Sequence, residues 1–227
     1  MELKVATHRS WIIMIGGILA MLLAPIMVII KYMTGWNIIP EPSWIEPVSG
    51  FLSPILSFAP AQELWSFYGT FYSLALLMMI SGFWLLWKPL RHIPSRWLKI
   101  AFWIFFAGLV QVLAGDFVHS ITWHQNGIMT PTPGSNPVAN TGYAVGMMGM
   151  NFILIGSLIF GIKALQGKYL PKWLAWSFIL ITPSAPLLST TVLPTTPSGG
   201  LLFFALISVL LGYQLLKNRI YLGKMAG

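Results

Sequence analysis

The stretch Trp97-Leu98-Lys99-Ile100-Ala101-Phe102-Trp103-Ile104-Phe105-Phe106-Ala107-Gly108-Leu109-Val110-Gln111-Val112-Leu113-Ala114-Gly115-Asp116-Phe117-Val118-His119 decides the reading of the fold. Between Lys99 and Asp116 it holds neither a charge nor a proline. Asp116 lies 17 residues beyond Lys99, roughly 25 Å along a helix. An apolar run of that length, charged only at its ends, has the dimensions of a membrane helix. It puts Asp116 near an interface and away from the midplane.

The composition of the rest of the chain agrees. Of 227 residues, 56% are hydrophobic and 8% are charged, against about 25% charged in a soluble domain. So few charges cannot cover a water-facing surface, so most of the surface is expected to face lipid. The length suits one bundle, residues 1–227, with no separate soluble domain. The net charge of +8 does not point to nucleic acid. The basic residues fall in short clusters between apolar runs and do not form one polar face. The absence of cysteine excludes disulfides, thiol catalysis and cysteine-ligated metals.

Five further apolar runs flank the first, at 11–30, 64–87, 141–165, 173–188 and 201–216. With 97–119 they predict an all-α, six-helix transmembrane bundle. The first is longer than a signal-peptide core and no small-residue cleavage pattern follows it, so it reads as a retained span. Gly142, Gly146 and Gly149 share one face of the fourth run, where small residues let helix backbones approach closely. Pro183 and Pro186 should end the fifth irregularly. Between the first two runs, 31–62 is broken by Pro40, Pro42, Pro47, Pro54 and Pro60 yet carries Trp36, Trp44, Phe51 and Phe58. It reads as an interfacial cap.

Six spans put Lys4, Arg9, Lys88, Arg91, Arg96, Lys99, Lys163, Lys168, Lys172, Lys217, Arg219 and Lys224 on one side, and only Lys31 on the other. The positive-inside rule makes the basic side cytoplasmic. Both termini are then cytoplasmic, in a multi-pass protein of the cytoplasmic membrane whose cap faces outward.

The chain has five acids and four histidines, and Asp116, His119 and His124 fall close together. Gly108, Val112, Asp116, His119 and Trp123 form one stripe on a helix. A carboxylate beside an imidazole can orient it as a general base, or can simply end the helix with an interfacial hydrogen bond. His124 lies off the stripe and could fold back if the helix ended near Ile121. Glu63, Asp116, His119, Trp123 and His124 are the candidate ligand-binding residues, with Asp116 and His119 the candidate catalytic pair. No metal or cofactor is expected, because these spacings match no zinc pattern. Methionines 147, 148 and 150 are ordinary packing residues. Gln111 and Asn151 are polar within spans, and interhelical hydrogen bonding is the expectation for both. A His-Glu-x-x-His motif, histidine boxes and a phosphate-binding glycine loop are all absent.

Leu64-Trp65-x-x-Tyr68-Gly69, Gly115-Asp116, Leu170-Pro171-Lys172-Trp173-Leu174-Ala175-Trp176 and Gly212-Tyr213 together resemble small uncharacterised bacterial six-span integral membrane proteins. The resemblance implies the fold and a bacterial origin, and it carries no activity across. Function is left between three classes, of which the first is preferred because the second has only two candidate catalytic groups and no recognised constellation. The first is a non-catalytic module binding a lipid, a small apolar ligand or a membrane protein partner. The second is a small enzyme using Asp116 and His119 on a lipidic substrate. The third is a transporter, which the lack of midplane charge and of repeats disfavours.

Overall fold

The computed structural model describes residues 2–33, 46–47, 50–51, 54, 61–126, 137–191 and 198–216. They form six helices: α1 Glu2–Met33, α2 Ala61–Leu90, α3 Arg96–Asn126, α4 Pro137–Gln166, α5 Lys172–Thr191 and α6 Ser198–Leu216. The described residues contain no strand. The cap expected over 31–62 lies outside the described residues, apart from the end of α1, the first turn of α2 and the exposed Glu46, Pro47, Gly50, Phe51 and Pro54.

Each apolar run lies within one helix, and the helices extend past the runs. α1 begins nine residues before its run, and α3 continues seven residues past its own, to Asn126. Asp116 therefore stands ten residues, roughly 15 Å, short of the helix end. The expected irregular end to α5 is corrected: the helix passes through Pro183 and Pro186 to Thr191. Hydroxyls on either side of Pro183 donate to backbone carbonyls. Ser184 donates to the Leu180 carbonyl at 2.6 Å, and Thr182 crosses to the Leu154 carbonyl of α4 at 3.1 Å.

Each helix packs on the next in the chain, and α6 closes on α1, making a ring. Neighbours are antiparallel, as the glycine contacts require: Gly16 abuts Ala75 and Met79, Gly82 abuts Ile13, and Gly212 abuts Ser10 and Met14. The described turns 91–95 and 167–171 therefore share one end of the ring, with Arg91, Arg96, Lys168 and Lys172 exposed there. Ser95 opens α3 by accepting the Leu98 amide on its hydroxyl at 3.3 Å, as an N-cap does.

The ring is filled by buried phenylalanines from five helices. Ring centroids are 4.7 Å apart for Phe83 and Phe204, 5.4 Å for Phe83 and Phe105, 5.7 Å for Phe105 and Phe178, and 4.9 Å for Phe160 and Phe178. These tilted and edge-on arrangements are the favoured ones for aromatic pairs. Between α3 and α4 the contact is backbone to backbone. A β-carbon on Gly115 would stand 2.6 Å from the Gly142 carbonyl oxygen, and one on Gly108 would stand 2.5 Å from that of Gly149. The glycine face read on α4 thus meets a matching pair of glycines on α3.

The exterior is apolar. Leu22, Leu74, Leu77, Trp84, Trp97, Ile155 and Leu180 are among the exposed side chains, Trp97 at 61%. Two stretches, Arg96–Val118 and Ala144–Gln166, are long and apolar enough to cross a membrane, and only 44% of each apolar window is buried. The expected interhelical bonds of the two span amides are corrected. Gln111 Oε1 is buried without a hydrogen-bond partner among the described residues. Asn151 is exposed.

Candidate functional site

The site begins with two residues that point the same way as the phenylalanines. Asp116 follows Phe105 by eleven residues on α3, and Tyr72 precedes Phe83 by eleven on α2. Eleven residues is three turns to within about 20°. Asp116 therefore shares the face of Phe105, Leu109 and Val112, all buried, and Tyr72 that of Leu76, Met79 and Phe83. Because α2 and α3 are antiparallel, both stand roughly 16 Å from the aromatic layer, away from the basic turns.

Here the two helices are joined by a polar contact. The Ser73 hydroxyl donates to Asp116 Oδ2 at 2.8 Å. The neighbouring Tyr72 is buried, and its hydroxyl has no hydrogen-bond partner among the described residues. The Asp116 carboxylate is close enough to act electrostatically on that phenol. An unpaired buried hydroxyl costs roughly 1–3 kcal/mol, most of which a ligand bonding to it would recover. Gln111 Oε1 is a second orphan but belongs elsewhere. Gln111 lies roughly 140° around α3 from Asp116, beside α4, where a β-carbon on Gly149 would meet Gln111 Cβ at 2.8 Å.

Of the five residues expected in the site, Asp116 is half-buried on the inner face of α3. Glu63 falls in the first turn of α2, and His119, Trp123 and His124 follow Asp116 along α3. The side chains of these four lie outside the described residues. The backbone alone puts His119 about one turn beyond Asp116 and His124 roughly 80° around from it. The fold-back considered for His124 required a helix ending near Ile121, and α3 does not end there. Asp116 was also expected at the helix end, and it lies well inside. No three His, Asp or Glu side chains converge among the described residues.

Tyr72 and Ser73 were not foreseen. The available signal was a phenol inside an apolar run, since a buried tyrosine hydroxyl usually finds a partner. No protein-family model, no curated protein and no solved structure matches the chain.

Proposed function

We propose that the chain is a six-span integral protein of the cytoplasmic membrane with both termini in the cytoplasm. In this reading its outward half binds a small amphipathic ligand without turning it over. Three features support the membrane reading: the apolar exterior, the exposure of more than half of each long apolar span, and the twelve-to-one division of basic residues. A soluble protein does not leave this much large apolar surface in water.

The observation that carries the binding reading is the unpartnered Tyr72 hydroxyl beside the Ser73–Asp116 pair. A phenol can donate to an oxygen or accept from a donor, and an ionised carboxylate only accepts. A hydroxyl-bearing head group satisfies both, donating to Asp116 and accepting from Tyr72, while its apolar tail lies among the helices. A lipid or lipid-like alcohol has this chemistry.

The test is native mass spectrometry of the protein released from nanodiscs of native lipid extract. The parent is expected to retain a small-molecule adduct that Tyr72→Phe and Asp116→Asn both lose and that Tyr213→Phe, altered on an exposed face, keeps. An adduct unaffected by the first two substitutions refutes the site. Orientation is tested separately in this cysteine-free chain. A membrane-impermeant thiol reagent should label Ser135→Cys in intact cells and spare His92→Cys; the reverse pattern inverts the topology.

A further inference from the structure

The middle of α4 carries a polar group on its outer face. Asn151 is 14 residues from Pro137 and 15 from Gln166, so it sits at the midpoint of a helix about 45 Å long. The exposed residues of α4 around it are Ala144, Met147, Met148, Ile155 and Ile162. Counted at 100° per residue, all five fall within about 60° of Asn151 on both sides, so the carboxamide points outward from the centre of the face. It makes no hydrogen bond among the described residues. In a bilayer this is the depth at which water is scarcest, and an unpaired amide there is costly.

We propose that the outer face of α4 is the seat of a second copy of this chain, paired through Asn151. The inference rests on the six-span reading above. A closed symmetric pair in a membrane has its axis along the bilayer normal, so each residue on the contact meets its own counterpart at the same depth. A side chain at the contact centre must then be complementary to itself. Asparagine is, with two donors and an acceptor on one amide, whereas a carboxylate or an ammonium would repel its copy. The flanking methionines and alanine suit such a seam, being small or adaptable. Asparagine specifies partner number in the same manner inside coiled coils.

The experiment uses the full chain in native membranes. Met147→Cys and Ile155→Cys, one turn on either side of Asn151, are oxidised with a copper–phenanthroline catalyst, and Leu77→Cys on the exposed face of α2 serves as the control. Disulfide-linked dimer is expected at 147 or 155 and not at 77. Adding Asn151→Leu should lower the dimer yield roughly tenfold, the worth of one such bond in a membrane, and Asn151→Gln should restore it. Dimer that persists in the leucine variant overturns the role of Asn151. A linked product of a mass other than twice the chain overturns self-pairing and identifies another protein as the occupant. Monomer alone, with the protein retained in carbonate-washed membranes, overturns the pairing and leaves the six-span reading standing. Release of the protein by the carbonate wash overturns both.

Discussion

The half of the bundle nearest the described turns and the half beyond the aromatic layer are filled by different side chains. In the first, side chains fill the ring: Phe83, Phe102, Phe105, Phe160, Phe178 and Phe204 are all buried and in ring contact. In the second, α3 and α4 close on bare backbone at Gly115, Gly142 and Gly146, and the interior holds Tyr72, Ser73 and Asp116. Glycine also brings α3 and α4 together at the aromatic layer, where a β-carbon on Gly156 would strike the Phe105 backbone nitrogen, so the halves differ in what fills the interior. The contrast bears on the proposal that the second half, and not the first, holds a ligand.

The severest way to break the contrast is to remove the centre of the aromatic layer. Phe83 touches Phe105, Phe178 and Phe204. Phe83→Ala is expected to cost roughly 3–5 kcal/mol, read as a large fall in the melting temperature of the detergent-solubilised protein. A small fall would show that the layer is not the keystone of the ring.

The glycine seam makes a directional prediction. A β-carbon on Gly115 would meet only backbone, 2.6 Å from Gly142 O and 2.6 Å from Gly146 N. Helices must separate to admit it, and Gly115→Ala is expected to cost roughly 1–3 kcal/mol. On Gly146 the nearest atom to a new β-carbon is Gly115 Cα at 4.0 Å, an ordinary contact. Gly146→Ala should melt like the parent. Equal effects at the two positions would contradict the packing described for this seam.

The polar pair on α2 separates stability from binding more finely. Ser73→Ala removes a donor from a half-buried carboxylate, and its cost should be about 1 kcal/mol, partial exposure trimming the value for a bond to a charge. Tyr72→Phe removes a hydroxyl that has no partner, so the ligand-free protein should melt no lower, and up to about 1 kcal/mol more stably, while losing the bound adduct. A destabilised Tyr72→Phe variant would mean that the hydroxyl serves the fold.

The helices were legible because length and lack of charge suffice to find them. Their ends were not. α3 runs seven residues past the expected 119, to Asn126, and α5 passes through both Pro183 and Pro186. The contact between Ser73 and Asp116 spans 43 positions, and nothing in Tyr72-Ser73-Leu74 marks it. Asn151 was misread for a physical reason. In this bundle inner and outer faces are both apolar, so the periodicity that tells inside from outside in a soluble helix is missing. The glycine spacing on α4 was readable because backbone proximity, unlike burial, demands a particular residue.

The smallest effect expected is at the tip of the basic half, where the backbone departs from what its residues prefer. Past the end of α4, the Tyr169 amide donates to the Ala164 carbonyl at 3.0 Å and the Lys168 amide to the Leu165 carbonyl at 3.3 Å. This is the Schellman pattern, which puts the residue at 168 in the left-handed region that glycine usually occupies. Here it is Lys168, with φ 54°, although a glycine is available one position earlier. Gly167 is held where it is by the Tyr169 ring, which a β-carbon at 167 would strike. The two positions should therefore respond in opposite directions. Lys168→Gly relieves the left-handed strain and should stabilise by about 1 kcal/mol, Lys168→Asn by less, and Gly167→Ala should destabilise. One lysine fewer leaves eleven basic residues against one, so the labelling of Ser135→Cys and His92→Cys should not change in the Lys168→Gly background. If Lys168→Gly lowers the melting temperature instead, this turn is held by the lysine side chain and not by its backbone.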